Sequence, residues 1–237
     1  GIEESTVEAW VKFDEITRSQ RIFQFGHSQG DLSLTTSWIF QGNGLTFVIA
    51  DGGLHAIHRP VLKTNEWFHV ASVSGRDGMK LYYNGTLIGE DPYQGSFDVI
   101  AEGAQGRLGG TVTDGVWPFR GQMTEIRVWG EARTLEQIRD TMFEPLTGTE
   151  PGLVSLWNFS DADQPGRDAG PGAHHGSLVG EAQVVEAQLP VSFDEPVLEL
   201  PGSDDSFLQL PPRLLDGLQE ATIEGWFQQS NRQEGYT

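Results

Sequence analysis

Residues 66–90 constrain the fold most. Two runs rich in aromatic and β-branched residues, 67–74 and 79–83, flank Gly75-Arg76-Asp77-Gly78, and the second turns back at Asn84-Gly85. Asn-Gly between alternating apolar residues favours a type I′ hairpin, because both central positions of that turn need positive φ. The stretch therefore predicts a three-stranded antiparallel meander, and most of the chain is written in the same style.

The composition fits this. Seven Trp and thirteen Phe in 237 residues suit half-buried sheet surfaces, and thirty Gly with twelve Pro supply frequent turns. The formal charge of −19 argues against nucleic acid and anionic membrane as partners, since both need a cationic footprint. It leaves room for cations such as Ca²⁺. With no Cys, disulfides, thiolate metal sites and Cys nucleophiles are excluded. No apolar run reaches the ~18 residues of a membrane span, and no signal peptide opens the chain. The chain opens inside a strand-like pattern at Thr6, which predicts a fragment of a longer protein.

Period-two alternation predicts a strand over 6–13, with Val7, Ala9, Val11 and Phe13 on one face and Thr6, Glu8, Trp10 and Lys12 on the other. Further strands are expected at 21–25, 31–36, 37–41, 45–50 and 55–61. After the meander they are expected at 107–110, 118–129, 153–159 and 182–187. One helix is expected: Thr134-Leu-Glu-Gln137 fits a capping box, with Leu135, Ile138 and Met142 at helical spacing behind it. Its two or three turns suit capping a sheet edge. Residues 160–176 form a Gly/Pro/Asp/His loop.

The pattern then restarts. Thr222-Ile-Glu-Gly-Trp226-Phe repeats Thr6-Val-Glu-Ala-Trp10-Val. A repeat this long is a tandem domain and not a solenoid unit. The expected organisation is a first domain over 1–187, a linker over 188–196, and over 197–237 the first strands of a second repeat. Val197-Leu-Glu-Leu-Pro and Phe207-Leu-Gln-Leu-Pro precede Thr222, and nothing equivalent precedes Thr6. An open sheet edge is adhesive. The later strands are therefore expected to complete the first domain, in cis or by exchange between chains.

Seven motifs taken in order carry a family resemblance: Thr-Val-Glu-Ala-Trp-Val, Arg-Ile-Phe-Gln-Phe-Gly, Glu-Trp-Phe-His-Val-Ala, Leu-Tyr-Tyr-Asn-Gly-Thr, Phe-Arg-Gly-Gln-Met-Thr-Glu-Ile-Arg-Val-Trp, Arg-Thr-Leu-Glu-Gln-Ile and Gly-Leu-Val-Ser-Leu-Trp-Asn-Phe. Together they resemble the laminin G-like domains of the concanavalin A-like lectin/glucanase superfamily. The resemblance implies an all-β jelly-roll sandwich of two antiparallel sheets with one short helix, often carrying Ca²⁺ at the rim. It also implies a non-catalytic module of a secreted, cell-surface or periplasmic protein that binds glycan or protein beside neighbouring domains. A spacer that binds nothing is the alternative. Glucan hydrolysis is a further one, and it requires two carboxylates flanking the scissile bond. The glucanase pattern Glu-x-Asp-x-x-Glu does not occur, and Glu125 stands beside Arg127 as an expected ion pair.

Two candidate sites follow. Trp38, Tyr93 and Trp117 fall in or near loops, where an exposed ring stacks on a sugar. Asp161, Asp163 and Asp168 fall in the loop ending Ala-His174-His175-Gly, which resembles the family's final loop. With loop carbonyls they are expected to hold Ca²⁺, whose six to eight oxygen ligands set the requirement. The competing reading is that Asp168 bonds loop N–H groups and shapes the turn.

Overall fold

A computed structural model of the chain describes residues 3–27, 30–40, 42–101, 103–112, 117–189, 194–201 and 205–211. Among these residues fifteen strands run in order: β1 Ser5–Phe13, β2 Arg21–His27, β3 Gly30–Thr36, β4 Gly44–Ala50, β5 Leu54–Pro60, β6 Phe68–Ser74, β7 Met79–Tyr83, β8 Thr86–Asp91, β9 Gln105–Leu108, β10 Arg120–Trp129, β11 Leu153–Trp157, β12 Ser177–Val179, β13 Gln183–Gln188, β14 Asp194–Pro201 and β15 Phe207–Leu210. The helix α1 spans Leu135–Thr141. Every described pairing between strands is antiparallel. One sheet has the order β13-β14-β10-β1-β6-β7-β8, with β11 also on β10, and the other the order β12-β15-β9-β2-β3-β4-β5. One core holds both sheets together, as a jelly-roll sandwich requires.

The local signals act as expected. Asn84 and Gly85 adopt φ of 47° and 65°, closing β7 on β8. Thr134 and Gln137 form both halves of the capping box. On β1 the alternation separates two environments, yet all nine residues are buried. Val7, Ala9, Val11 and Phe13 enter the core between the sheets. The opposite face lies under residues 130–146, where the Thr6 hydroxyl donates to the Glu131 carbonyl and the Trp10 indole N–H to the Met142 carbonyl, each at 2.8 Å.

The helix corrects one expectation. Ile138 packs on Ala71, Val73 and Tyr82, so α1 covers the outer face of a sheet, where an edge position was expected. A second correction concerns residues 37–41, expected as a strand. The Ser37 hydroxyl accepts the N–H groups of Ile39 and Phe40, which bends residues 37–40 into a loop. Gly44 is required at its close, since a Cβ there would lie 2.3 Å from the Ser37 Cβ. Strand β12, three residues long, was not anticipated.

Of the segment 188–196 expected as a linker, Gln188 lies in β13 and residues 194–196 lie in β14. β14 lies between β10 and β13, and β15 between β9 and β12. Among the described pairings, β12 and β13 join the sandwich only through these two strands. The edge of β10 is shared: Arg120–Met123 pairs with β14 and Ile126–Trp129 with β11. At the switch, Glu125 adopts φ of 49°, a bulge opposite the Glu8–Trp10 register shift on β1. The repeat at Thr222–Phe227 lies outside the described residues.

Candidate functional site

The rim of the second sheet is built by its hairpins. At one end lie Arg21, Thr36, Gly44 and Pro60; at the other lie Asp31, Ala50 and Leu54. Trp38, in the loop after β3, meets the His58 ring edge-on at 4.8 Å. That imidazole also lies 2.9 Å from the Thr46 hydroxyl, and burial pushes its pKa down, helped by the Arg59 charge. The next two residues point to solvent: Ile39 is 56% exposed and Phe40 37%. At the same end the Arg21 guanidinium donates to Thr35 Oγ1 at 2.9 Å and to the Ser19 carbonyl at 3.1 Å. Its Cζ lies 5.5 Å from the Trp117 ring centre. Trp117 is 44% exposed and holds φ of 68°, a left-handed conformation uncommon outside glycine.

Tyr93 belongs to the opposite end. Its ring stacks on His55 at 3.5 Å, and its hydroxyl donates to Asp51. Burial and then the Asp51 carboxylate push its phenol pKa up. The three aromatic candidates therefore divide, two at one rim and one at the other. Sequence reading missed Ile39 and Phe40 as rim residues, because an apolar run following β3 looks like more strand.

The acidic loop is organised by Asp168, which is buried. Its Oδ1 accepts the N–H groups of Leu156 and Gly170, each at 2.7 Å, and its Oδ2 accepts the N–H of His174 at 2.8 Å. Burial is the largest influence on its pKa and acts upward, but the His174, Leu156 and Gly170 hydrogen bonds together hold it below the usual carboxylate value. Asp161 accepts the N–H groups of Asp163 and Gln164 and pairs with Arg167 at 2.9 Å. The Asp163 side chain is exposed. Among the described residues no three His, Cys, Asp or Glu side chains converge as a metal site requires. Each carboxylate of this loop other than Asp163 has protein partners, Asp168 through backbone N–H groups and Asp161 through Arg167 as well.

Two acids on the outer face of the first sheet, Glu8 and Glu125, are sealed. Glu8 lies 3.0 Å from Arg133 and 3.3 Å from His69. Burial depresses the His69 pKa, against the upward pull of Glu8. Glu125 accepts from Arg127 at 2.8 and 3.1 Å, and Arg127 also donates to the Thr141 and Glu144 carbonyls. Burial pushes Glu125 up despite that partner. All five groups are at most 6% exposed, and Thr141 and Glu144 lie over them. Carboxylates held this way cannot flank a glycosidic bond.

Comparison with known proteins agrees with the architecture. The family model described as the concanavalin A-like lectin/glucanases superfamily, of laminin G type, matches residues 3–139. A structure from Bacteroides ovatus ATCC 8483, described as a candidate carbohydrate binding protein, is similar at 21% identity and a TM-score of 0.55. The match covers 94% of this chain and 54% of that one, so the chain spans about half the length of this relative. A native heptameric SAP-like pentraxin from Limulus polyphemus is similar at 22% identity and a TM-score of 0.45, over 58% of this chain and 69% of that one. Curated proteins give no significant match. No helix among the described residues is long and apolar enough to cross a membrane. With more than half of its residues inside the family model and its strands laid out in two facing antiparallel sheets, the chain belongs to the concanavalin A-like lectin/glucanase superfamily.

Proposed function

We propose that the chain is a non-catalytic recognition module of a larger exported protein, binding glycan or protein through loops at the rim of the sandwich. The observation that carries this is the apolar rim formed by Trp38, Ile39, Phe40 and Trp117 at one end of the second sheet. Strained backbone concentrates at functional sites, and Trp117 combines a left-handed φ with an exposed ring backed by a guanidinium. An exposed indole offers a flat apolar surface to the C–H face of a sugar. The Bacteroides ovatus relative, described as carbohydrate binding, supports the same class of ligand.

The test is a glycan array probed with the whole chain and with Trp38→Ala and Trp117→Ala. Binding by the parent that falls at least tenfold in either variant supports the rim. Binding that neither variant alters removes the rim from the reading. Binding to no glycan, together with no protein ligand captured from an extracellular extract, favours the spacer reading.

Residues 194–210 also suit exchange between chains, in which one copy's β14 and β15 fill the slots of another. Two differently labelled preparations, mixed, partly denatured and refolded, test this. Energy transfer between labels at positions 63 and 205 supports exchange, and its absence in a strictly monomeric product overturns it.

A further inference from the structure

The loop after β11 folds back along that strand, with Ala169 donating to the Leu156 carbonyl and Gly172 to that of Val154. Two clefts open on its outer side and share one side chain, Arg167. The first, about 200 Å³, is lined by Asn158, Ser160, Asp161 and Thr147. The second, about 400 Å³, has Pro165 and Leu178 as apolar surface and Gln164, His175 and Ser177 as polar groups. Ligand clefts typically hold about 300–1,000 Å³, a range the second reaches and the first adjoins, and they pair apolar walls with a few fixed polar groups.

The polar groups are oriented before any ligand arrives. Arg167 gives Nη1 to Asp161 at 2.9 Å, which fixes the plane of the guanidinium, and its head stays about half exposed. Its Nε and Nη2 make no hydrogen bond among the described residues, so they remain as donors. His175 accepts the Asp168 N–H at Nδ1, at 3.1 Å. With Nδ1 accepting, the neutral tautomer carries its proton on Nε2, which makes that nitrogen a donor in the ring that lines the second cleft. Asn158 accepts from the Ser160 N–H and hydroxyl at Oδ1, leaving its amide N–H₂ as a donor. Asp168, fixed by three N–H groups, holds the loop that carries Arg167 and His175.

We propose that this double cleft is a second saccharide site, taking a neutral terminal sugar. Resting on the glycan reading above, the proposal names a separate site. Ring hydroxyls accept from Arg167, His175 and Asn158, while the apolar face of the ring lies on Pro165 and Leu178. Neutral sugar is favoured over acidic sugar because Asp161 already offsets the Arg167 charge, and the net charge of −19 repels anions.

The experiment titrates the whole chain with methyl glycosides of glucose, galactose, mannose, fucose and N-acetylglucosamine, with methyl glucuronide as the acidic arm. The His175 imidazole is followed by NMR. The expected result is a saturable shift of the His175 ring signals with a neutral glycoside. Affinity should fall about tenfold or more in Arg167→Ala, and also in Ser177→Trp, which fills the larger cleft without removing a loop contact. Exposed Lys63→Ala should bind unchanged. Circular dichroism confirms that each variant is folded. Array binding that Trp117→Ala abolishes and both cleft variants retain overturns this site and leaves the rim reading intact. Preference for the glucuronide overturns neutrality. No binding of any glycoside or array glycan overturns the cleft and the glycan reading together.

Discussion

Arg133 donates to the Glu8 carboxylate at 3.0 Å although 125 residues separate the two in the chain. The contact ties the start of α1 to the middle of the first sheet, since Arg133 also bonds the Gln137 carbonyl and Thr141 hydroxyl. Removing one partner of a buried pair leaves an uncompensated charge, which costs about 3–5 kcal/mol. Glu8→Gln should destabilise the chain by about that much. Urea unfolding of variant and parent measures the difference.

Lys12 is 2% exposed, and its ammonium lies 5.9 Å from the Trp67 ring centre. Burial lowers its pKa to about 7, against Asp14 and Glu199, which raise it. The unfolded chain keeps this proton up to about 10.5. Between those values the unfolded state holds more protons, so this group adds stability as pH rises and withdraws it as pH falls toward 7. Lys12→Met should therefore be more stable than the parent at pH 6, by several degrees in Tm. The advantage should shrink as pH rises from 7 to 10.5. A gap between variant and parent that stays constant with pH would show that the ammonium is not the cause.

Asp168 works with the opposite practical consequence, in acid. Its pKa lies below its ordinary 3.8, so its stabilisation is complete above that value and is lost as pH falls through the lower one. Asp168→Asn should cost about 1.5–3 kcal/mol at pH 7, the range for hydrogen bonds to a charged group. The cost should diminish as pH falls below 3.8 and the carboxylate takes up its proton. Because N–H groups occupy this carboxylate, a chelator or added Ca²⁺ should leave the melting midpoint unchanged, and a clear upward shift with Ca²⁺ would restore a metal to this loop.

Leu198 is fully buried on β14 and pairs with Met123 on one side and Val184 on the other. Leu198→Ala should cost about 2–5 kcal/mol. Hydrogen exchange should show the amides of β12 and β13 losing protection in the same step as β14 and β15. Protection of β13 that survives the loss of β14 would contradict the pairing.

Local chemistry was readable in the sequence, and remote chemistry was not. The Asn84-Gly85 turn and the Thr134 cap depend on neighbours a few residues away. So does the Glu125–Arg127 pair, which the structure places at 2.8 Å. Glu8 gave no sign of its partners, because His69 and Arg133 reach it only after three strands and a helix have assembled. Residues 37–41 failed for a different reason: one hydroxyl, Ser37, outcompetes a sheet ladder for two N–H groups. The loop around Asp168 was read partly from residue types and partly through the family. Its geometry favours the turn-shaping role, since backbone donors reach the carboxylate first.

Because β14 and β15 are wedged inward of β12 and β13, the sandwich cannot be finished by adding ribbon to its outside. On the ribosome, residues 177–188 emerge before the strands that join them to the rest. They must wait with open backbone until the polypeptide past residue 210 clears the exit tunnel. Synthesis rate and the holding of that interim form should therefore govern yield more than the stability of the finished protein does.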